Sequence, residues 1–175
     1  LVIGQAAPVA WNVWKDINSG NLGSYLARPV DYHTLNLGKC SGPALLYLVA
    51  GTVTYTSSAA ILKLPLALSP ARAVFFAASV TGGFMIMYLT QFIVATLAFW
   101  IGRTDTLRDL IFEVYALFSG SIIPNDFLPP VLRNVAGALP FKFMYYVPVS
   151  ALLGRIPEPD LPGLALTLTL WVAEM

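Results

Sequence analysis

The feature that most constrains the fold is an uncharged run of thirty residues, Ala73 to Gly102, between Arg72 and Arg103. An apolar run longer than about eighteen residues is typical of a transmembrane helix, because hydrocarbon supplies no water and only a helix pairs its own backbone groups. At ~1.5 Å per residue the run would extend roughly 45 Å, beyond the ~30 Å hydrocarbon core. The sequence therefore predicts an integral membrane protein whose central helix tilts or extends into an interface.

The composition of the chain agrees with this prediction. Hydrophobic residues make up 57% and charged residues only 11%, whereas about a quarter of the residues of a soluble domain are charged. The formal net charge of +1 gives no basic footprint for nucleic acid, so we expect no nucleic-acid partner. Cys40 is the single cysteine, which excludes an intrachain disulfide and a cysteine-rich metal site. We predict an all-α polytopic helical bundle in lipid.

The apolar segments divide the chain as a single transmembrane domain. We predict complete spans at residues 40–62, 71–102 and 106–123. Residues 1–14 are interpreted as the end of an earlier span, and residues 161–175 as the start of the last one, because each is too short to cross a bilayer. We therefore expect the chain to be a fragment of a larger polytopic protein.

Polar side chains within the first complete span, residues 40–62, share one helical face. They are Thr52, Tyr55 and Thr56. Such a face can line a passage or contact a neighbouring helix. Alternatively, the hydroxyl groups hydrogen-bond to carbonyls of the preceding helical turn and carry no further role.

The central run contains two further features. Tyr88 and Gln91 share one helical side, and an amide is costly to expose to lipid, so we expect Gln91 to face protein or water. Ser79 and Gly83 are four residues apart, which favours the close approach of another segment.

Prolines interrupt the segment that follows. Pro124 to Pro162 contains eight prolines, and no continuous crossing helix survives so many missing donors. Two short helices are predicted, one from Pro129 or Pro130 to Ala138 and one from Phe141 to Leu153 bent at Pro148. Broken apolar segments are tolerated at membrane depth only where protein buries them or they line a cavity. We predict a re-entrant or interfacial helical hairpin near residues 124–154.

The polar segment 15–39 contains a short amphipathic helix in this interpretation. The residues on one of its faces are Asn18, Leu22, Tyr25 and Leu26. Pro29 ends it, and Asp31 can cap a following helix that begins at Tyr32. On pattern alone, the segment is typical of a helix lying on lipid headgroups.

Motifs for catalysis are absent from the sequence. Gly38-Lys39 lacks the upstream glycine of a phosphate-binding loop and is followed by Cys40. His33 is the sole histidine, so no zinc-protease motif exists, and we expect His33 to be solvated in its polar loop. The acidic residues show no spacing suited to acid-base catalysis. The sequence therefore gives little support to an enzyme.

Four strings occur in an order that is known from a transporter family. They are DINSGNLGSYLARPVD at residues 16–31, AFWIGR at 98–103, LFSGSIIPNDFLPP at 117–130 and LPFKFMYYVPVSALLG at 139–154. Within them lie a G-x-x-I-P-x-x-x-x-P pattern, an L-P-F triplet and a P-x-x-x-x-L-G pattern. This order resembles the permease subunits of bacterial type-2 ATP-binding-cassette (ABC) exporters, and the resemblance covers nearly the whole chain.

The resemblance implies a fold and an orientation. Such permeases have six spans, so the first and part of the second would precede Leu1 and the sixth would continue past Met175. Their polar loop, here residues 15–39, is cytosolic and carries a coupling helix that docks on a separate ATPase subunit. The residues to which this role would be carried over are Asn21, Leu22, Tyr25, Leu26, Arg28 and Pro29.

The resemblance also implies that the proline-rich segment, residues 124–160, lies on the outer face as an external gate. The gate residues would be Pro124, Pro129, Pro140, Phe141 and Pro148. The candidate residues for lining the translocation pathway are Thr52, Tyr55, Tyr88 and Gln91.

Together these points give a functional hypothesis. The chain is expected to be a multi-pass permease of a bacterial plasma membrane that works in lipid as a homo- or heterodimer with a second permease subunit. An ABC ATPase subunit would bind and hydrolyse ATP, so the permease itself would need no cofactor or metal and would not be an enzyme. Two alternatives remain open: a membrane-embedded transferase or protease, and a passive channel or scaffold.

Overall fold

The computed structural model of the chain describes residues 2–62, 69–101 and 105–175. The α-helices in these ranges are α1 (Pro8–Asn18), α2 (Leu22–Leu26), α3 (Tyr32–Leu62), α4 (Pro70–Thr96), α5 (Ala98–Ile101), α6 (Asp105–Phe118), α7 (Pro130–Ala138), α8 (Tyr146–Leu152) and α9 (Leu161–Glu174). Short 3-10 turns lie at Ile3–Ala6, Asn125–Phe127, Pro140–Phe143 and Glu158–Asp160. No strand occurs in the described ranges, and the predicted all-α fold class is confirmed.

Helix α4 is the centre of the fold. The Ser69 side chain caps it by accepting a hydrogen bond from the Arg72 main-chain N–H at 3.3 Å, and Pro70 occupies the first turn, where no donor is needed. The stretch Pro70–Ile101 is the one helix among the described residues that is long and apolar enough to cross a membrane. The central helix predicted from the uncharged run is therefore present.

The rest of the chain packs around α4. Helices α1, α8 and α9 contact it, together with the turns Ile3–Ala6 and Pro140–Phe143. Two adjacent glycines permit this packing: a Cβ at Gly83 would lie 3.0 Å from Met144 Cα, and a Cβ at Gly82 would lie 2.6 Å from Leu168 Cδ2 of α9. The close approach predicted at Ser79 and Gly83 is confirmed, since Ser79 is also fully buried.

Helix α3 begins before the predicted span 40–62. Asp31 caps it as predicted, because the Asp31 carboxylate accepts a hydrogen bond from the Thr34 main-chain N–H at 3.1 Å. Beyond Ala44 its described side chains are mostly exposed, including the large apolar ones of Leu45 and Leu46. Such a surface suits lipid or another protein segment better than water.

Helix α6 covers only the first part of the predicted span 106–123. The helix ends at Phe118, and Gly120 then adopts a φ of +82°, a left-handed conformation that glycine accepts at no steric cost. The tight approach of Tyr146 Cβ, 3.0 Å from the position of a Cβ at Gly120, also requires glycine there.

The proline-rich segment contains α7 as predicted, but its second helix is shorter than predicted. Instead of one helix from Phe141 to Leu153, a 3-10 turn and α8 are separated by Tyr145, whose backbone is non-helical. The Tyr146 main-chain N–H donates to the Ser119 carbonyl at 3.0 Å rather than within the segment. The predicted bend at Pro148 is also wrong, because Pro148 lies in the first turn of α8, where the missing N–H costs nothing.

Candidate functional site

The segment predicted to couple to an ATPase forms α2, which follows a sharp turn after α1. Gly20 makes that turn with a φ of +73°. Asn21, Arg28 and Pro29 are exposed, whereas Leu22 and Tyr25 are half-buried. The side chain of Leu26 lies outside the described part of the chain. Five of the six predicted coupling residues are thus described on one short, surface-exposed segment.

Aromatic and cationic contacts hold α2 against the first turns of α3. The rings of Tyr25 and Tyr32 lie 5.6 Å apart. The Lys39 ammonium is 4.9 Å from the centroid of the Tyr25 ring, and the Arg28 guanidinium carbon is 5.2 Å from it. Cation–π contacts of this kind contribute about 0.5–1 kcal/mol at exposed sites. The side chain of Tyr25 therefore attaches α2 to α3.

Tyr32 connects these contacts between α2 and α3 to α1. Its hydroxyl donates a hydrogen bond to Asp16 Oδ2 at 2.8 Å. Burial raises the pKa of Tyr32, and the hydrogen bond to Asp16 raises it further, so the phenol remains a neutral donor at physiological pH. The ends of α1, α2 and α3 consequently meet around Tyr32.

Of the predicted pathway residues, Tyr88 is fully buried between α4 and the start of α3. Its hydroxyl donates to the main-chain carbonyl of His33 at 2.8 Å. The His33 ring packs edge-on against Tyr88 and Phe92, with ring centroids 5.1 and 5.0 Å apart. The expectation that His33 is simply solvated is wrong, because α4 supplies an aromatic surface that the local sequence does not reveal.

Gln91, one helical turn further along α4, is only 1% exposed and faces protein, as predicted. It lines a cleft of about 260 Å³ between α1, α4 and α6. The cleft is also lined by Ala7, Pro8, Trp11, Arg108, Asp109 and Phe112. The Gln91 side chain lies within hydrogen-bonding reach of the buried Tyr115 hydroxyl.

The third pathway candidate with a described side chain, Thr52, lies apart from Tyr88 and Gln91. It is exposed on α3, and its hydroxyl donates to the Val49 carbonyl at 2.8 Å. Thr54 bonds to the Ala50 carbonyl in the same way at 2.8 Å. These contacts are the carbonyl bonds to the preceding turn that the sequence left open as an alternative. The side chain of Tyr55 lies outside the described residues.

The predicted gate residues fall into two groups. Pro124 and Pro129 are exposed, and Pro129 immediately precedes α7. Pro140 and Pro148 are buried and Phe141 is half-buried, in the turn and helix that pack on α4. The structure therefore brings the last three together against α4 and leaves the first two on the surface.

Two polar clusters contact the proline-rich segment, residues 124–160, and neither is evident from the sequence. At the first, Asp126 accepts a hydrogen bond from the Tyr146 hydroxyl at 2.7 Å and lies 3.7 Å from the Arg155 guanidinium. At the second, Arg72 at the start of α4 contacts Glu158 Oε1 and the Ala151 carbonyl, both at 3.3 Å. Hydrogen bonds from Ser69 and Arg72 hold the pKa of Glu158 below its usual value.

In the described ranges, no group of three or more histidine, cysteine, aspartate or glutamate side chains is placed to hold a metal ion. The polar clusters instead connect helices to one another. The described part of the chain is all-helical and is built around one apolar helix long enough to cross a bilayer, as in a membrane protein.

Comparison with protein-family models assigns the family. The model described as "ABC-2 family transporter protein" matches residues 3–173, nearly the entire sequence. The chain therefore belongs to the ABC-2 family of transporter proteins, and the resemblance to type-2 ABC permeases is confirmed. No curated protein and no solved structure matched the chain.

Proposed function

We propose that this chain is the permease subunit of an ATP-driven exporter in a bacterial plasma membrane, where it crosses the bilayer several times and pairs with a second permease subunit. A separate ATPase subunit binds and hydrolyses ATP, and α2 is the element that docks on it. The family match supports the permease assignment. The observation that carries the coupling role is the exposed tip of α2, held at the junction of three helices by Tyr25 and Tyr32.

A continuous set of contacts supports the transmission of a movement from α2 into the membrane. Tyr25 contacts Tyr32 in the first turn of α3. The next residue, His33, accepts the hydrogen bond from Tyr88 of α4. A displacement of α2 by the ATPase would therefore move the start of α3 and strain its attachment to α4. Because packed contacts resist continuous deformation, such a push favours a switch between discrete helix arrangements.

The contacts at the opposite end of α4 support an outer gate moved by the same helix. Arg72 binds the Ala151 carbonyl at the end of α8 and the Glu158 carboxylate beyond it. In this proposal, tilting of α4 pulls on α8 and changes the packing of Pro140 and Pro148 against it. The alternating opening of the two sides would follow from the rocking of one helix.

Co-purification tests the coupling role. The full-length permease is expressed with its ATPase and isolated through a tag. Leu22→Asp and Tyr25→Asp are each expected to abolish co-purification of the ATPase, because a carboxylate would disrupt the small docking surface. Asn134→Asp, which adds a carboxylate at an exposed position of α7, is the matched control and should retain it. Failure of any nucleotide-hydrolysing chain to bind the wild-type permease would favour a passive channel or scaffold.

Labelling tests the orientation. Cys40 is the only cysteine in these 175 residues, so Cys40→Ser, combined with replacement of any cysteine elsewhere in the full-length protein, allows single cysteines to be introduced at Ser24 in α2 or at Asn134 in α7. A membrane-impermeant maleimide should label the Asn134→Cys variant in intact cells and the Ser24→Cys variant only in inside-out vesicles. Labelling of Ser24→Cys from outside the cell would contradict the proposal.

A further inference from the structure

Two charged levels along α4 are separated by about the thickness of a bilayer. At one end of the helix, Arg72 pairs with Glu158. Towards the other end, Gln91 lines the same cleft as the Arg108–Asp109 ion pair. Gln91 follows Arg72 by nineteen residues, which corresponds to roughly 28 Å at ~1.5 Å per residue and matches the ~30 Å hydrocarbon core. Between these two levels α4 carries no charged residue.

The turn Pro140–Phe143 is packed between these two levels. The position of a Cβ at Gly83 is 3.0 Å from the Phe143 carbonyl oxygen, so the turn contacts α4 directly at this glycine. Gly83 follows Arg72 by eleven residues, which is ~16 Å along the helix. The main chain of Lys142, the residue before Phe143, therefore lies near the middle of the hydrocarbon core and not at its edge.

The ammonium group of Lys142 is only partly satisfied. It donates a hydrogen bond to the Gly137 carbonyl in the last turn of α7 at 2.6 Å, and it lies 5.4 Å from the centroid of the Phe143 ring. An ammonium has three N–H donors, and Lys142 makes no ion pair with another described residue. The carboxylate of Asp126 in the same segment is already hydrogen-bonded and ion-paired elsewhere. Because the Lys142 side chain is half-buried, part of it remains accessible.

Capping of α7 does not by itself account for a lysine at this depth. A cation at the end of a helix is favourable, but an uncharged amide could donate to the Gly137 carbonyl equally well. A charged side chain inside a bilayer is costly unless it pairs with an opposite charge or faces a water-filled cavity. The charge of Lys142 therefore indicates an anionic counterpart.

We propose that Lys142 binds the anionic group of an amphipathic molecule, a carboxylate, sulfonate or phosphate attached to an apolar body. The adjacent side chain of Phe141 is half-buried and provides an apolar contact for that body. The anion belongs either to a phospholipid headgroup or to a free amphipathic compound. That it is the transported substrate rests on the proposed function, whereas its binding at Lys142 does not require the ATPase.

A pair of fluorescent probes that differ only in charge tests the site: a long-chain alkyl sulfonate labelled with an anthroyloxy group, and its uncharged sulfonamide. Fluorescence titration measures their binding to the purified full-length permease in maltoside detergent, without the ATPase. The wild type should bind the sulfonate about tenfold more tightly than the sulfonamide, since a hydrogen bond to a charged group is worth about that factor. Lys142→Gln, whose amide can still donate to the Gly137 carbonyl, should abolish this preference, and Lys142→Arg should retain it.

Lys15→Gln is the matched control, because it removes the same charge from an exposed lysine near the end of α1. It should leave the preference unchanged. Lys142→Met serves as a second variant if Lys142→Gln does not fold. Equal affinity of the wild type for the two probes, or an equal effect of Lys142→Gln and Lys15→Gln, would overturn the proposal. Loss of the preference in Lys142→Arg as well would indicate a packing role and would also overturn it.

Competition distinguishes the two sources of the anion. Displacement of the sulfonate by phosphatidylglycerol, but not by phosphatidylcholine, would assign the site to a lipid headgroup. A sulfonate that stays bound against both lipids would assign it to a free amphipathic anion. Sulfonate binding that depends on Lys142 in a permease that recruits no ATPase would overturn the proposed function and support this site.

Discussion

The hydroxyl of Tyr88 donates a hydrogen bond of 2.8 Å to the main-chain carbonyl of His33, a residue 55 positions earlier in the sequence. The bond joins the buried part of α4 to the first turn of α3. The Tyr88 ring is also stacked on Phe92, and the His33 ring packs against both. A polar contact inside an aromatic cluster is shielded from competing water. This contact fixes where the start of α3 lies along α4.

Tyr88→Phe should therefore lower the stability of the α3–α4 contact while leaving the fold intact. The variant keeps the ring and loses one hydrogen bond, which corresponds to about 1 kcal/mol. Chemical unfolding of the purified protein in mild detergent measures the change. Tyr47→Phe is the control, because Tyr47 is exposed on α3 and its hydroxyl makes no hydrogen bond to another described residue. An equal loss in the two variants would show that the Tyr88 hydroxyl does not stabilise the protein through His33.

Gly83→Ala should destabilise the protein, because the added Cβ would meet the backbone of Phe143 and Met144 at the end of the Pro140–Phe143 turn. The nearest atoms, Met144 Cα and the Phe143 carbonyl oxygen, would both be 3.0 Å away. Overpacking of this kind costs about 1–3 kcal/mol. At Gly51 of α3 a Cβ would meet no described atom within 4 Å, so Gly51→Ala should stabilise the helix by up to about 1 kcal/mol. Unfolding measurements that give the same sign for both variants would contradict the packing of α4 on this turn.

Features with a local signal could be predicted from the sequence. The uncharged run predicted α4, and Asp31 as a helix cap predicted the start of α3 at Tyr32. Both features depend only on residues that are near one another in the sequence. Pro130 similarly marks the first turn of α7. The exposed turn that carries α2 could also be located, since glycine, asparagine and proline bound it on both sides.

Features that depend on distant residues could not be predicted. The partner of Arg72 is Glu158, 86 residues away, and no spacing rule connects them. The interruption of the predicted helix at Tyr145 depends on the carbonyl of Ser119. This carbonyl accepts a hydrogen bond from the Tyr146 N–H, which is then not available for a helical hydrogen bond. His33 was expected in solvent because its own loop is polar, but its surroundings are set by α4. Tertiary contacts decide these positions.

The hydrogen bonds that Glu158 accepts from Ser69 and Arg72 should make stability depend on pH in the acid range. The pKa of Glu158 is lowered in the folded protein, so its contribution is complete above the usual value of about 4.3 and is lost as the pH falls through the lowered pKa. The difference in unfolding midpoint between the wild type and Glu158→Gln should therefore be greatest near neutral pH and shrink as the pH falls through the lowered pKa of Glu158. Glu113→Gln is the control, since Glu113 makes no ion pair with another described residue. A difference that persists unchanged at low pH would exclude a role for the carboxylate charge.

The turn before α2 should respond to substitution at Gly20 but not at Gly23. A Cβ at either position meets no described atom within 4 Å, so the two glycines differ only in backbone conformation. Gly20 has a φ of +73°, which an alanine adopts at a cost of roughly 1–2 kcal/mol. Gly20→Ala is therefore expected to displace α2 and weaken co-purification of the ATPase, whereas Gly23→Ala, inside α2, should preserve it or strengthen it by favouring the helix. Retention of the ATPase by Gly20→Ala together with its loss in Gly23→Ala would indicate that docking requires an open surface at Gly23, and not the turn that positions α2.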